Sequence, residues 1–368
     1  MSRKTNIINY IITMAITLGS LFLVVYFCNS RYSLSTFDAL WRFAVFAIVV
    51  GLVNTFVHEL GHLICGKKNG YVFSSMSVWF FRWRRVRKKI RFDFIMLGEE
   101  AGYTEMIPTN AEKVADGLKR MTRGGIVGSF ICMILGVPAL FMTFLPVEIF
   151  CLWSLFLPIG AYFFFGSALP ASSYGVRNDG AVLYGLKKND DVSLVTINLL
   201  KIQAHLYNGK TPSEIDEKLY FDLPQLPEDD LVFAMLLNAR YNFYLDKGDF
   251  NNAKLTVSRL LSLEEYLPKG YLDVIKTDAL YNACTFDYNE ELADDIMYEI
   301  EKYINNVNTA STVRAKTAYL LYVKRETEPL DMFFKKGYKE VERCQIKGLG
   351  MFEKKLFDKM YSDYQKLS

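Results

Sequence analysis

The chain has 368 residues and a formal net charge of +3. This length suffices for a membrane part plus one soluble domain. The small charge excess does not indicate nucleic-acid binding, because the basic residues cluster where apolar runs end. Residues before Ala171 are mostly apolar or basic, and residues after Lys187 resemble a soluble helical protein. We therefore predict a mostly α protein, with a polytopic membrane helix bundle over residues 1–186 and a cytosolic α-helical domain over residues 187–368.

Long apolar runs predict about four transmembrane helices. Arg3 and Lys4 precede the first run and place the N-terminus in the cytosol. This run is too long for a signal peptide and no small-residue cleavage site follows it, so we expect it to be retained. The C-terminus then also lies in the cytosol. The predicted spans lie near residues 7–27, 40–65, 126–145 and 149–169.

The loop between the second and third spans is rich in β-formers and basic residues. Residues 71–81 and 90–96 predict strands of a small sheet at the membrane surface. Seven Arg and Lys residues between Arg82 and Arg91 favour contact with anionic lipid headgroups. Residues 111–120 predict a short amphipathic helix before the third span.

The second span contains the sequence His58-Glu59-Leu60-Gly61-His62 near its cytosolic end. Residues four apart share one face of a helix, so His58 and His62 can offer two imidazoles to one metal ion. Glu59 lies beside them, where it can take a proton from a metal-activated water. Gly61 either keeps the helix surface open or allows close helix packing. A chance match is disfavoured because ionisable groups inside a membrane helix are costly and usually mark function.

A hydrolytic zinc site needs a third protein ligand, often a carboxylate. Asp179 follows the fourth span within Pro170–Gly180, whose small and polar residues indicate irregular backbone at membrane depth. Asn-Asp-Gly alone would indicate an ordinary turn, but the histidine pair favours Asp179 as the third ligand of a Zn2+ ion. The other acidic residues of this part lie in the outer turn, the surface loop or a solvated helix, namely Glu148, Asp93, Glu99, Glu100, Glu105, Glu112 and Asp116.

Three segments resemble the site-2 protease family of intramembrane zinc metallopeptidases, over roughly residues 40–186. His58–His62 resembles the zinc motif of that family, residues 101–106 resemble its surface Gly-Tyr segment, and Asn178-Asp179-Gly180 resembles its Asp-Gly motif. The resemblance implies a zinc metalloendopeptidase that cleaves a transmembrane or signal-peptide-like polypeptide, with Glu59 as general base. A further hypothesis is that the strands around residues 72–81 hold the unwound substrate by strand addition.

The resemblance also implies a substrate-holding side chain near the third ligand. The family usually has an asparagine three residues before a proline, and here Ser167 stands at that place relative to Pro170. A serine hydroxyl can donate a hydrogen bond to a substrate carbonyl. Asn178 is a second candidate for the same role.

The pattern changes to amphipathic helices from about Asp190. Residues 239–253 predict a helix that ends near Gly248 and a second that packs through Ala253, which resembles a tetratricopeptide-type (TPR-like) helix pair. Residues 279–304 and 311–338 repeat this shape at spacings near 40, and a generic helical domain is the alternative. Such a domain is expected to bind a protein partner or to restrict access to the protease.

Two other functions fit parts of the sequence. One is a proteolytically silent membrane-anchored scaffold whose helical tail binds a partner, although the intact Glu59 disfavours it because a scaffold needs no general base. The other is a metal-dependent membrane enzyme of different chemistry. The short layout predicts an integral, multi-pass protein of a bacterial cell membrane.

Overall fold

The computed structural model describes residues 3–86, 89–95, 102–173 and 176–367. These residues are mostly helical, as the sequence predicts. They form two compact units that divide between Ser193 and Leu194, and short stretches near Val86 and at Pro108–Glu112 group with the second unit. Each unit has its own buried apolar core.

The first unit contains four helical stretches that are long and apolar enough to cross a membrane. They cover Lys4–Tyr32, Thr36–Lys68, Ala111–Leu140 and Val147–Ala168, which confirms the predicted number. The helices of this unit are α1 (Arg3–Tyr32), α2 (Thr36–Lys68), α3 (Val114–Gly136), α4 (Val147–Ser154), α5 (Phe156–Ala168) and α6 (Asp179–Lys188).

The bounds of the third and fourth spans differ from the prediction. The short helix expected at 111–120 is continuous with the third span, because its inward face continues in phase along α3. The helix ends at Gly136 rather than near 145, two residues before Pro138, which would remove a helical hydrogen bond. The fourth span is two helices that meet at Leu155. Pro158 has no N–H for the carbonyl of Ser154, so the first helix cannot continue through it.

A four-stranded sheet follows α2, and its strand order is β3-β2-β1-β4. Strands β1 and β2 are antiparallel, with Val78 opposite Phe81. The sequence predicted two strands, and it missed β2, which lies inside the basic block, and β4. The strands are β1 (Tyr71–Val78), β2 (Phe81–Val86), β3 (Lys89–Phe94) and β4 (Gly102–Pro108).

Strand β1 is internal, since β2 and β4 flank it. The expectation that residues 72–81 offer a free edge to a substrate is therefore wrong. The edge strand on the side of the histidine motif is β4. A two-stranded pair, β5 (Ser172–Ser173) and β6 (Val176–Arg177), leads from α5 into α6.

The second unit is built from consecutive helix pairs. Three pairs, α9/α10, α11/α12 and α13/α14, match the positions of the predicted repeats. Helix α9 is followed directly by Gly248, whose φ is 79°. Helices α11 and α13 each continue into a short π-helical segment, Ala283–Asp287 and Tyr319–Lys324. These segments are followed by Tyr288 and Arg325, whose φ angles are also positive, at 48° and 55°. The TPR-like character stays a prediction. The helices are α7 (Asp191–Tyr207), α8 (Lys218–Phe221), α9 (Leu231–Lys247), α10 (Phe250–Leu261), α11 (Lys269–Asn282), α12 (Glu290–Asn306), α13 (Ala310–Ala318), α14 (Leu330–Arg343) and α15 (Lys347–Leu367).

Candidate metal centre

The histidine motif lies where α2 and α3 approach backbone to backbone. A Cβ atom added at Gly61 would lie 2.2 Å from the carbonyl oxygen of Gly124, and one added at Gly124 would lie 2.3 Å from the carbonyl oxygen of Gly61. Neither contact is sterically possible, so both positions need glycine. This geometry explains Gly61 by close helix packing rather than by an open surface beside a metal.

Three potential ligand atoms converge beside this crossing. Nε2 of His58 and Nε2 of His62 lie 3.2 Å apart, and Oδ2 of Asp179 lies 3.3 and 3.4 Å from them. One ligand atom from each residue falls within 4.8 Å of the others. Among the described residues this is the group of three His, Cys, Asp or Glu side chains that can share a metal ion. The arrangement brings together the residues that the sequence singled out.

Each imidazole has a fixed partner on its other nitrogen. Nδ1 of His62 donates to the main-chain carbonyl of Met121 at 3.0 Å, because a carbonyl oxygen can only accept. Nδ1 of His58 lies 2.8 Å from the hydroxyl of Ser129, which can accept from it. Such outer partners fix the ring orientation and leave Nε2 free to bind a metal ion.

The donor set fits a small divalent cation. With protons on both Nδ1 atoms, two Nε2 lone pairs and a carboxylate oxygen face one another without a hydrogen between them. Oδ2 of Asp179 is buried and has no hydrogen-bond partner within the described residues. A buried acceptor in this position is costly unless a cation or a donor satisfies it. Two imidazoles and a carboxylate are a common hydrolytic zinc set.

Glu59 is buried beside this group, with 4% of its surface exposed. The hydroxyl of Thr104, on strand β4, donates to Oε2 of Glu59 at 2.6 Å. A Cβ atom added at Gly102 would lie 3.3 Å from Oε1 of Glu59, so the start of β4 packs directly on the motif. The strand therefore fixes the orientation of the carboxylate.

Asp179 is the first residue of α6, and Asn178 caps that helix. The Asn178 Oδ1 accepts from the backbone N–H of Ala181 and of Ala171, both at 2.9 Å. Its Nδ2 donates to the carbonyls of Gly166 and Leu169, both at 2.7 Å. All of its amide donors and acceptors are thus used by main-chain groups of these four residues. Asn178 therefore has no free donor for a substrate, contrary to its expected role.

A cavity of about 590 Å3 opens onto the three convergent residues. Ser167 lines it, and its hydroxyl donates to the Phe164 carbonyl at 3.2 Å within the same helix. The walls come from α2, β4, α3, α5 and the turn before α6. The lining residues include Thr55, Tyr103, Thr104, Met121, Thr122, Tyr162, Phe163, Gly166, Val176, Arg177 and Asn178.

Two of the other acidic residues of the first unit have partners elsewhere. Asp93 pairs with Arg84 at 2.6 Å. Glu105 accepts hydrogen bonds from the hydroxyls of Ser74 and Ser75. Glu99 and Glu100 lie outside the described residues.

Sequence reasoning missed Thr104, Ser129 and the carbonyl of Met121. Thr104 directly follows the Gly-Tyr pair that carried part of the family resemblance. The resemblance therefore drew attention to this segment but did not indicate that Thr104 binds Glu59. Ser129 was visible as one of several small residues in the third span, where packing alone explains a small side chain. A main-chain carbonyl leaves no signal in a sequence.

An H-E-x-x-H helix within a membrane bundle, with a half-buried aspartate beside both histidines, defines the class of intramembrane metallopeptidases. The chain belongs to peptidase family M50, whose family model matches residues 44–332. Membership confirms the resemblance to site-2 proteases and indicates intramembrane metallopeptidase activity in an integral membrane protein. The match extends well beyond residue 186, where the resemblance was expected to end. No curated protein and no solved structure matches the chain.

Proposed function

We propose that the protein is an intramembrane zinc endopeptidase, with His58, His62 and Asp179 as zinc ligands and Glu59 as general base. The observation that carries this proposal is the buried Oδ2 of Asp179, which faces two Nε2 atoms at 3.3 and 3.4 Å. M50 membership supports the reaction class, and peptidases of this family are generally zinc-dependent.

A bound zinc ion supplies Lewis acidity, which makes water a better nucleophile and polarises the scissile carbonyl. Glu59 takes the proton of the attacking water and passes it to the leaving amine. Thr104 holds the Glu59 carboxylate through its 2.6 Å hydrogen bond, so the base needs little reorganisation. Burial of Glu59 keeps bulk water away from the proton transfer.

Strand β4 is the candidate surface for an unwound substrate. It ends the sheet order β3-β2-β1-β4, and its residues Gly102, Tyr103 and Thr104 line the cavity. Addition of an extended peptide to this edge would bring its backbone beside Glu59. A proline scan over residues 103–106 removes the amides one at a time. We expect proline at every second position to slow cleavage of the substrate, with zinc retained. Equal cleavage rates for all of the proline variants would exclude strand addition.

The substrate is a membrane-embedded or membrane-associated polypeptide. The cationic pair Lys67-Lys68 after the motif, together with the basic block of the sheet, supports a site near the cytosolic face. Ser167 stays a candidate for holding the substrate backbone, since it lines the cavity and its hydroxyl can be redirected. The second unit is then a cytosolic domain that binds a protein partner.

The test compares the wild type with Glu59→Gln, Asp179→Asn and the exposed control Glu112→Gln. Each full-length protein is purified for zinc content and is co-expressed with a panel of tagged single-span membrane peptides. We expect Glu59→Gln to retain zinc and to lose cleavage by about 100-fold or more. Asp179→Asn should lose zinc and cleavage, and Glu112→Gln neither.

Normal cleavage by Glu59→Gln would reject the peptidase mechanism. A wild type that binds no zinc would reject the metal assignment. The same panel, read with a chain that ends at Ser193, tests the second unit, because a partner-binding role predicts altered substrate choice with zinc retained. Unchanged substrate choice would contradict that role.

A further inference from the structure

Helix α1 begins outside the region that the family model matches, which starts at residue 44. Two asparagines in its first turns, Asn6 and Asn9, are half-buried. Their neighbours Ile7, Ile8 and Tyr10 are apolar and exposed, as lipid-facing residues would be. Side chains three apart share one face of a helix, so the two amides point together into the protein.

Both amides bind the backbone of the segment that follows α5. Nδ2 of Asn6 donates to the carbonyl of Ser172 at 2.6 Å, and the N–H of Ser172 donates back to Oδ1 of Asn6 at 3.3 Å. Nδ2 of Asn9 donates to the carbonyl of Pro170 at 2.6 Å. The Asn6 amide thus forms the reciprocal pair of bonds that a neighbouring strand would supply.

The residue between these two faces the opposite way and binds the turn that carries Asp179. The N–H of Ala171 donates to Oδ1 of Asn178, and the carbonyl of Ala171 accepts from the N–H of Asn178 at 3.0 Å. Successive residues of an extended segment alternate in direction. The segment 170–172 is therefore held between α1 on one side and Asn178 on the other, one residue before Asp179.

We propose that Asn6 and Asn9 are positioning residues for the metal centre: they fix residues 170–172 on α1 and, through the bonds between Ala171 and Asn178, place Asp179 against His58 and His62. This inference rests on the proposed zinc function. Oδ2 of Asp179 has no hydrogen-bond partner within the described residues. Its location therefore depends on the backbone of the turn.

A purely stabilising role for the two asparagines makes a different prediction. Backbone groups at membrane depth need partners, and the two amides supply them. If that were their whole effect, their loss would lower the unfolding temperature and leave the zinc affinity of the folded protein unchanged. A positioning role predicts weaker zinc binding by protein that remains folded.

The experiment uses the full-length chain in lipid nanodiscs and the variants Asn6→Leu, Asn9→Leu and the double variant. Ser20→Ala is the matched control, since that hydroxyl donates to Thr17 within α1. Zinc affinity is measured by competition with a chelator. Backbone hydrogen exchange over residues 170–181 is measured on zinc-free protein, so this readout does not depend on metal binding.

We expect the double variant to bind zinc about tenfold more weakly or worse and to exchange faster at the amides of Ala171 and Ala181. Ser20→Ala should match the wild type in both. Unchanged zinc affinity with a lower unfolding temperature would overturn the proposal, as would unchanged exchange. If the wild type binds no zinc, the proposed function fails and exchange alone decides whether α1 places the Asp179 turn. The single variants keep the test decisive if the double variant does not fold.

Discussion

The outer hydrogen bonds of the site divide its residues into two sets with different tasks. Ser129 contacts a nitrogen of His58, which is a candidate zinc ligand. Thr104 contacts the carboxylate of Glu59, which is the candidate base. Because ligands set metal affinity and the base sets the rate of proton transfer, the two hydroxyls should affect different measured quantities.

Removal of each hydroxyl tests this division. Ser129→Ala removes the partner that orients the His58 ring, so we expect zinc to bind about tenfold more weakly or worse. Thr104→Val removes the bond that orients Glu59, so we expect kcat to fall about tenfold with zinc affinity unchanged. Chelator competition measures the first effect, and initial cleavage rates at saturating zinc measure the second.

Ser154→Ala is the control for both variants. Its hydroxyl is buried in the same unit and has no hydrogen-bond partner within the described residues. It should change neither quantity. Equal loss of zinc affinity in Ser129→Ala and Thr104→Val would show that the two hydroxyls act through general stability of the site.

The sequence was sufficient to predict the site residues that lie close together along the chain. His58 and His62 are brought together by the helical repeat alone. Asp179 was inferred as a ligand because a zinc site needs a third ligand and because the other acidic residues were excluded. The turn that positions Asp179 could not be predicted from the sequence. The amide of Asn178 could have served a substrate or its own turn, and the sequence did not decide between them. The structure decides for the turn, because four main-chain partners surround that amide.

At the scale of elements, glycines determine how closely α3 approaches the metal centre. A Cβ atom added at Gly125 would lie 2.3 Å from Nε2 of His62 and 2.9 Å from Nε2 of His58. One added at Gly128 would meet the carbonyl of Val57 at 2.6 Å instead. The two glycines therefore separate an effect on the ligands from an effect on helix packing.

Gly125→Ala should displace an imidazole and weaken zinc binding about tenfold or more. Gly128→Ala should lower the unfolding temperature by separating α2 from α3, with a smaller effect on zinc. Gly19→Ala is the control, since a Cβ atom there meets nothing within 4 Å. Zinc affinity and thermal unfolding of the three purified proteins check these outcomes. Weaker zinc binding in Gly128→Ala than in Gly125→Ala would contradict the assignment.

Element boundaries show what a one-dimensional pattern leaves out. Strand β2 was missed because its arginines form a dense basic block, although Phe81 and Trp83 alternate with them at the period of a strand. The two rings pack with Phe92 of β3, which is a contact between strands. The internal position of β1 likewise depends on which strands pair with it, and the sequence alone does not predict that pairing.

At the scale of the whole molecule, the chain combines a candidate metal centre in one unit with a buried charge cluster in the other. Nη2 of Arg314 donates to Asp278 at 2.9 Å, and its Nε lies 3.1 Å from Glu353. The guanidinium also lies 4.2 Å from the ring centre of Tyr281. Two buried carboxyl groups thus share one cation. Burial raises the pKa of Glu353 to about 7 and also raises the pKa of Asp278.

This cluster predicts that the second unit loses stability as the pH rises. Glu353 has an ordinary pKa of 4.5 in the unfolded chain and about 7 in the folded unit, so the folded unit binds more protons between these values. The free energy of unfolding is then highest below about pH 4.5 as far as Glu353 is concerned, and falls as the pH rises through about 7. Urea unfolding of the full chain in detergent, followed by far-ultraviolet circular dichroism, measures this dependence.

Glu353→Gln keeps the shape of the side chain and removes its titration, so the urea midpoint should become less dependent on pH between 5 and 8. Above pH 7 the variant should be more stable than the wild type, because it no longer buries an excess negative charge. Arg314→Met should instead lose about 3–5 kcal/mol, since both carboxyl groups lose their cation. A wild-type midpoint that rises with pH over this range would contradict the raised pKa. Zinc affinity serves as the internal control, because the proposed ligands all lie in the first unit and neither substitution should change it.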